Sequence, residues 1–180
     1  MNIRLIAGYF GGRIIEGSGT TRTHPMGERI RSSLFNILGS EIEGAVVLDA
    51  FAGSGSLGLE SLSRGAKQAT FVERDRVAQK IIERNIALLG VQEQAKLVKA
   101  PVASWLSTVD TQYDIIFADP PYNNLQLSTV FQLQKLLKPN GLMVLSYTGR
   151  GEVPTDLGVV VVDNRRYGDA VLSFYRRGGA

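Results

Sequence analysis

The sequence predicts an α/β fold, in which a mostly parallel twisted sheet carries helices on both faces. Three observations lead to this prediction. Short apolar runs alternate with helix-period segments from Ala45 onward, a glycine-rich loop follows the first run, and Asp119-Pro120-Pro121-Tyr122 follows a later one. The last two apolar runs frame a tight turn, so we expect an antiparallel hairpin at the C-terminal end of the sheet.

The first segment of the chain predicts a small extension ahead of the alternating part. Two strand-like runs surround Gly8-Tyr9-Phe10-Gly11-Gly12, which is typical of a β-hairpin. A polar loop over residues 17–27 leads into an amphipathic helix that ends at Gly39. We therefore divide the chain into residues 1–40, the extension, and residues 41–180, the α/β domain.

The alternating part has a readable element order. The predicted strands are 46–49, 69–72, 96–99, 113–118, 142–147, 158–164 and 170–176. The predicted helices are 57–64, 75–89 and 127–137, with a short segment around Trp105. Gly65 and Gly90 close the first two helices, and Lys138-Pro139-Asn140-Gly141 is predicted to end the third.

The tetrapeptide Asp119-Pro120-Pro121-Tyr122 ends a buried strand. Two consecutive prolines cannot continue a strand ladder, because neither has an N–H to donate. The chain therefore leaves the sheet with a carboxylate, a prolyl carbonyl and an aromatic ring at a strand's carboxyl end, where open α/β sheets bind ligands. The two oxygens can accept N–H bonds and the ring can stack on a base, so we expect a site for a planar amine. The alternative is a rigid turn with a solvated Asp and a packed Tyr.

The glycine-rich loop indicates a nucleoside ligand. Gly53, Gly55 and Gly58 match G-x-G-x-x-G, and Glu73 ends the next strand. This spacing alone fits a dinucleotide, but a carboxylate at Asp49 would repel a pyrophosphate and favour an ammonium group. Glu73 could accept both hydroxyls of a ribose. A molecule with a cationic amino-acid end and a nucleoside end fits both carboxylates, and S-adenosylmethionine is such a molecule. The alternative is a tight turn whose glycines serve helix–strand packing.

The composition of the 180 residues excludes several kinds of site. The absence of cysteine excludes disulfides, thiolate zinc sites, cysteine-ligated iron–sulfur clusters and a covalent cysteine mechanism on pyrimidines. His24 is the single histidine, which excludes a multi-histidine metal centre. No apolar run approaches the roughly 20 residues that span a bilayer, and the N-terminus lacks a signal-peptide layout. We expect a cytoplasmic protein without a bound metal.

The net positive charge lies in the first fifth of the chain. The net charge is +3, and residues 1–36 hold five arginines against two glutamates, which is 5 − 2 = +3. The remaining residues are therefore neutral, with 15 basic and 15 acidic side chains. Guanidinium groups bind phosphate and stack on bases, so this segment is predicted to face a polyanion. The alternative is a set of solvated surface arginines.

Taken together, these motifs resemble the class I S-adenosylmethionine-dependent methyltransferases, and within them the bacterial 16S ribosomal RNA guanine-N2 methyltransferases of the RsmD type. The resemblance covers essentially the whole chain. It rests on Gly8–Gly12, Pro25-x-x-Glu28-Arg29-Ile30-Arg31-x-x-Leu34-Phe35-Asn36-Ile37-Leu38, Val47–Gly55, Gly58-Leu59-Glu60-x-Leu62-Ser63-Arg64-Gly65-Ala66 and Asp119–Tyr122. The second and fourth runs are specific to this group. The resemblance implies a Rossmann-like class I methyltransferase fold and methylation of guanine N2 in small-subunit ribosomal RNA.

The resemblance also implies roles for individual residues. Asp119 and Pro120 would accept the N–H bonds of the target amine, and Tyr122 would stack on the base. The predicted cofactor contacts are Asp49, Phe51, Ala52, Gly53, Ser54, Gly55, Glu73 and Arg74. The predicted RNA contacts are Arg13, Arg22, His24, Arg29 and Arg31. Arg29 and Arg31 could instead order the N-terminal segment, and His24 could be a surface or hinge residue.

Two departures from the family pattern stand out. His24-Pro25-Met26 replaces the usual Arg-Pro-Thr, which removes a fixed charge and a hydroxyl. Lys99-Ala100-Pro101-Val102 lacks the carboxylate that usually holds the adenine amine, so we expect backbone or packing contacts to hold adenine.

The expected partner is ribosomal RNA or a small-subunit assembly intermediate, bound by a monomer with no membrane contact. Three alternatives remain open. A DNA adenine-N6 or cytosine-N4 methyltransferase shares the tetrapeptide, although 180 residues leave little room for a target-recognition domain. A nucleotide-binding dehydrogenase would not need the tetrapeptide. A non-catalytic nucleotide- or RNA-binding module would hold its ligand without consuming a cofactor.

Overall fold

The computed structural model describes residues 1–18, 26–150 and 153–179. The strands are β1 (Asn2–Arg4), β2 (Ile14–Glu16), β3 (Val46–Ala50), β4 (Gln68–Glu73), β5 (Ala95–Lys99), β6 (Tyr113–Ala118), β7 (Leu137–Tyr147), β8 (Val159–Tyr167) and β9 (Ala170–Arg177). The helices are α1 (Glu28–Leu38), α2 (Ser56–Ser63), α3 (Arg76–Leu89), α4 (Val102–Leu106) and α5 (Leu127–Leu133), with 3₁₀ turns at Gly39–Ile42 and Gln134–Leu136.

Within the described residues, seven strands form one sheet in the order β5-β4-β3-β6-β7-β9-β8. The strands from β5 to β7 are parallel, whereas β9 pairs antiparallel with both β7 and β8. The predicted α/β fold with an antiparallel C-terminal hairpin is therefore confirmed. The chain builds outward from β3 to β5 and then returns to place β6 on the other side of β3. This reversal opens a crevice at the carboxyl edge of the sheet.

The N-terminal hairpin packs on one face of the sheet. β1 and β2 pair antiparallel, as predicted. Ile15 of β2 is 1% exposed and belongs to the same hydrophobic cluster as Phe71 of β4. The buried carboxylate of Glu60 in α2 accepts the backbone N–H of Ile6 at 2.8 Å, which fixes the chain beyond β1. The hairpin thus shares the core of the sheet, and the proposed boundary at residue 40 stays a prediction.

Local signals set both ends of α3. Asp75 is its N-cap, and the side-chain Oδ2 accepts the N–H of Ala78 at 2.9 Å. Gly90 ends the helix in the left-handed conformation, with φ 68°, which glycine adopts without a steric penalty. The helix spans the predicted segment, and its apolar face packs on the sheet.

The predicted helix over residues 127–137 is wrong at its C-terminal end. α5 ends at Leu133, a 3₁₀ turn follows, and β7 begins at Leu137. The Lys138–Gly141 turn lies inside β7, where the register with β6 shifts. Pro139 has no N–H to donate and Asn140 has φ 65°, so this part of the strand leaves the regular ladder and then resumes it.

Candidate active site

A cavity of about 1480 Å³ opens at the carboxyl edge of the sheet. The segments after β3, β4, β5 and β6 line it, together with the N-terminal end of α1. Both sequence motifs meet there: Asp49 and Glu73 line one part of the cavity, and Asp119 and Tyr122 line another. The lining includes each predicted cofactor and catalytic residue except Gly55, which lies beneath the loop as the N-cap of α2.

The glycines shape the loop after β3. Gly53 and Gly55 have φ of 59° and 82°, in the left-handed region that side chains rarely adopt. Gly58 has a different role, because a Cβ there would lie 2.3 Å from Cε1 of the buried Phe71. The third glycine of the motif therefore lets α2 pack closely against β4, which is the packing role given as the alternative for these glycines. The glycines thus serve helix–strand packing, and the loop that they form also lines the cavity.

Asp49 lies at the base of the cavity and is 1% exposed. Its Oδ2 accepts the N–H of Gly58 at 2.9 Å. Burial raises the pKa of Asp49 well above its usual range, the Gly58 hydrogen bond lowers it, and the charges of Asp119 and Glu73 raise it further. A cation beside these carboxylates would favour the ionised form of Asp49, whereas a pyrophosphate would add repulsion.

Glu73 is held by backbone N–H groups on both carboxylate oxygens. Oε1 accepts from Gly53 and Oε2 from Asp75, each at 2.8 Å. Burial raises the pKa of Glu73, and these two hydrogen bonds oppose that shift. Each carboxylate oxygen can accept a second hydrogen bond, so the pair can still receive two ribose hydroxyls.

The acceptor corner joins the ends of β6 and β7. Ala118 pairs with Leu145, so Asp119 and Ser146 lie side by side just beyond the ladder, and both line the cavity. Burial raises the pKa of Asp119 to about 7, against a hydrogen bond from Ser146 that lowers it. Tyr122, 48% exposed, also has a hydrogen bond with Ser146, and burial raises the pKa of its hydroxyl.

Sequence reasoning did not find Ser146. Its hydroxyl serves both residues of the tetrapeptide that carry side-chain chemistry, Asp119 and Tyr122. The available signal is positional: Ser146 stands near the end of the next parallel strand, where polar residues at strand ends converge. Without the strand order, that signal does not single out one serine.

A second residue that sequence reasoning missed connects the hairpin to the glycine loop. Asn85 of α3 is 1% exposed, and its Nδ2 donates to the carbonyls of Ser54 at 3.1 Å and Glu16 at 2.9 Å. Its Oδ1 accepts the N–H of Glu16 at 2.8 Å. Because Ser18 lines the cavity just beyond Glu16, Asn85 fixes two walls of the site to each other.

The part of the cavity after β5 lacks the carboxylate that the family usually has there, as the sequence indicated. Its lining there is Lys99, Ala100, Pro101 and Val102, so this run offers no carboxylate. Lys99 forms an ion pair with Glu83 of α3 outside the run. Arg74, the last predicted cofactor contact, lines the neighbouring wall and is exposed.

The structure corrects the predicted RNA contact at Arg31. It is 2% exposed, and its Nη2 and Nη1 donate to the carbonyls of Arg4 at 2.7 Å and Met26 at 3.4 Å. Burial lowers the pKa of Arg31, and the charges of Glu60 and Glu28 raise it. Arg31 therefore orders the N-terminal segment, the second role considered for it, and its guanidinium does not face RNA.

The other predicted RNA contacts are spread over the molecule. Arg13 donates to the carbonyl of Leu88 at 3.3 Å. Because Leu88 lies at the C-terminal end of α3, Arg13 is at the opposite edge of the sheet from the cavity. Arg29 is exposed in the first turn of α1, next to Ile30 in the cavity lining. Both roles stay predictions. Outside the described residues lie two further predicted contacts, Arg22 and His24.

Two other kinds of feature are absent from the described part of the chain. Residues 1–18, 26–150 and 153–179 contain no group of three or more acidic or histidine side chains placed to hold a metal ion. In the same ranges, no helix has the length and apolar character required to cross a membrane.

The sheet order, the glycine loop with its paired carboxylates and the Asp-Pro-Pro-Tyr corner together define a Rossmann-like, S-adenosylmethionine-dependent methyltransferase. The chain belongs to the family described as Conserved hypothetical protein 95, whose model matches residues 3–176. The sequence resemblance to RsmD-type methyltransferases and the methyltransferase fold are both confirmed.

Relatives and a solved structure agree with this placement. The Bacillus subtilis protein YlbH, provisionally named an rRNA methyltransferase, is 30% identical over 184 residues, covering 98% of this chain and 100% of YlbH. Ribosomal RNA small subunit methyltransferase D of Haemophilus influenzae is 37% identical over 147 residues, covering 78% of this chain and 76% of that protein. An Escherichia coli structure described as a candidate methyltransferase, yhhF, has a TM-score of 0.88 and 31% identity, with 100% of both chains covered.

Proposed function

We propose that this chain is an S-adenosylmethionine-dependent RNA methyltransferase that methylates the exocyclic N2 of a guanine in small-subunit ribosomal RNA. One observation carries the proposal: the paired carboxylates Asp49 and Glu73 and the acceptor corner at Asp119 open into the same cavity. The names of the methyltransferase D relatives support the choice of RNA as substrate.

The cofactor end of the cavity fits S-adenosylmethionine by the chemistry of its oxygen atoms. Asp49 would hold the ammonium end, directly or through water, and Glu73 would accept the ribose hydroxyls. Phe51, Ala52, Gly53 and Ser54 would lie along the molecule, Arg74 beside it, and Ala100 to Val102 against adenine. The cofactor supplies a methyl group that is already activated by its positive sulfur.

The acceptor corner supplies the remaining chemistry. The lone pair of guanine N2 is delocalised into the ring, which makes it a poor nucleophile. Hydrogen bonds from its two N–H groups to the Asp119 carboxylate and the Pro120 carbonyl would favour a pyramidal nitrogen and stabilise the positive charge that grows there. Tyr122 would stack on the base and partly offset the cost of unstacking it from RNA.

Alignment provides a further share of the rate. Holding the nitrogen in line with the methyl group can offset roughly 7–11 kcal/mol of barrier. The methylated nitrogen is acidic enough to lose its proton afterwards, so the site needs no strong base. The site needs correct geometry instead, and the rigid prolines at 120 and 121 provide it by fixing the backbone of the acceptor corner.

The finer features of the proposal concern the setting of the reaction. We infer that a monomer acts in the cytoplasm on small ribosomal subunits or their assembly intermediates. The support is that residues of one chain supply both the cofactor wall and the acceptor corner. The modest net charge of +3 favours recognition of a folded ribonucleoprotein surface over binding by charge alone.

The test is the transfer of labelled methyl from S-adenosylmethionine to three substrates. These are small ribosomal subunits that lack the modification, their deproteinised RNA, and duplex DNA, with Asp119→Ala as the control. Mass spectrometry of the digested nucleosides should identify N2-methylguanosine in the ribosomal samples alone. Label in DNA would instead support an adenine-N6 or cytosine-N4 methyltransferase. Cofactor binding with no label in any substrate would leave a methyltransferase of a different substrate class.

A further inference from the structure

The C-terminal hairpin carries four arginines whose surroundings differ: Arg165, Arg166, Arg176 and Arg177. Arg165 pairs with Asp163 at 2.9 Å. Arg176 pairs with Glu41, and Arg177 pairs with Asp156. These three guanidinium groups are neutralised by carboxylates of the same chain. Arg166 differs, since its exposed side chain has no acidic partner among the described residues.

Arg166 lies at the acceptor end of the cavity. It precedes Tyr167, which pairs with Ala170, and Ala170 lines the cavity. Its Nη2 is 3.1 Å from the position that a Cβ on Gly149 would occupy, so the guanidinium lies against the segment that follows β7. That segment leaves the sheet after Tyr147, one residue beyond Ser146, the residue beside Asp119.

The same corner holds a second exposed arginine. Arg150 follows Gly149, and its side chain also lacks an acidic partner among the described residues. Asp169 lies in the turn between β8 and β9, and its charge, like that of Asp119, raises the pKa of the Tyr122 hydroxyl. Arg150 and Arg166 therefore add two cations to the corner that also holds the carboxyl groups of Asp119 and Asp169, next to the place where the target base would stack.

We propose that Arg166, with Arg150 beside it, binds phosphates of the RNA strand next to the target guanine. The inference rests on the proposed function. A base drawn into the cavity brings its flanking phosphates to the rim, and contacts to phosphate fix the position of a substrate without reading its sequence. An unpaired guanidinium suits this role, because it gives up no internal ion pair when it binds.

The test compares Arg166→Ala with Arg165→Ala, which removes the adjacent, internally paired arginine of the same strand. Steady-state methyl transfer to unmodified small ribosomal subunits is measured between about 50 and 200 mM salt. We expect Arg166→Ala to raise KM by about threefold to tenfold and to lower the slope of log affinity against log salt by about one. kcat and the cofactor Kd should not change. Arg166→Lys should recover part of the loss, and Arg165→Ala should match the wild type.

Equal effects of Arg166→Ala and Arg165→Ala, or no effect of Arg166→Ala, would overturn the assignment. A separate binding titration with the same subunits keeps the inference distinct from the proposed function. If the wild-type enzyme transfers no methyl to RNA, the proposed function fails. In that case, a salt-dependent loss of binding limited to Arg166→Ala still supports the phosphate site, and unchanged binding overturns it.

Discussion

The two ends of the cavity are built in different ways. At the cofactor end, Asp49 and Glu73 are 1% and 6% exposed, and backbone N–H groups hold their carboxylates at 2.8–2.9 Å. At the acceptor end, Asp119 and Tyr122 share the hydroxyl of Ser146, and Tyr122 is 48% exposed. The first end is fixed by main chain that the fold itself places. The second depends on one side chain and stays open to solvent.

This difference follows from what each end must do. A small cofactor of constant shape can be held by a preformed, buried set of acceptors. A base that arrives from a large RNA needs an open corner. The pKa of its acceptor, Asp119, must therefore be set in a part of the cavity that is accessible to water. We therefore expect changes at the two ends to separate cofactor binding from methyl transfer.

The largest effect is expected from Asp119→Ala. The variant removes the carboxylate that accepts the amine N–H, so kcat should fall by about 10²–10³ while the cofactor Kd stays unchanged. Single-turnover methyl transfer and calorimetric cofactor titration measure the two quantities. Asp169→Ala, an exposed carboxylate of the same corner, is the matched control and should keep near-normal kcat. Full activity in Asp119→Ala would remove that residue from the mechanism.

Glu73→Gln should give the opposite separation. One oxygen that accepts a backbone N–H becomes an amino group, so either Gly53 or Asp75 loses its acceptor in a buried place. The cofactor Kd should rise by about tenfold to a hundredfold, while kcat at saturating cofactor changes little. Glu83→Gln makes the same chemical change in an exposed ion pair near the cavity. If both variants bind the cofactor equally well, Glu73 does not hold it.

The sequence could predict those parts of the site that depend on neighbouring residues. The paired prolines end β6 wherever the strand lies, and the spacing of Gly53, Gly55 and Glu73 belongs to one β-α-β unit. The ends of α3 were also predictable, because Asp75 and Gly90 act within a single turn. Each of these features comes from a local steric or hydrogen-bonding rule.

The features that were missed depend on contacts between distant segments. Ser146 contacts Asp119 only because β7 pairs with β6, and the local sequences of these two strands do not predict that they are neighbours. Arg166 differs from Arg165 only through its partners in the folded chain. Arg31 is an exception, since its spacing from Leu34 and Leu38 places it on the buried face of α1, and helical periodicity could have identified it.

Gly58→Ala tests the rigidity of the cofactor end. The added Cβ would meet the Phe71 ring at 2.3 and 2.7 Å, and Phe71 is fully buried, so α2 must shift. We expect a loss of about 1–3 kcal/mol in the free energy of unfolding. The cofactor Kd should rise by a few-fold, because the Gly58 N–H holds Asp49. Denaturant unfolding and cofactor titration measure both. Gly178→Ala, whose Cβ would meet only the Gly158 carbonyl at 3.6 Å, should leave both values unchanged.

The smallest expected effect is at the acceptor end and appears in the pH dependence. Burial raises the pKa of Asp119 to about 7, and its carboxylate form is the stronger acceptor and the form that stabilises the positive charge growing on the amine. Activity should therefore be low below pH 7 and rise as the pH increases through that value. Burial raises the pKa of Asp119, whereas the Ser146 hydrogen bond lowers it.

Ser146→Ala removes that hydrogen bond, so the rise in activity should move to higher pH. Activity at about pH 6, relative to its plateau, should fall by about threefold, with the plateau and the cofactor Kd little changed. Ser146→Thr keeps the hydroxyl and should restore the wild-type profile. The measurement is kcat/KM from about pH 5.5 to 9 for the three proteins. Coincident profiles for wild type and Ser146→Ala would mean that this hydroxyl does not determine the pKa of Asp119. The acceptor end would then be held by the fold itself, as the cofactor end is.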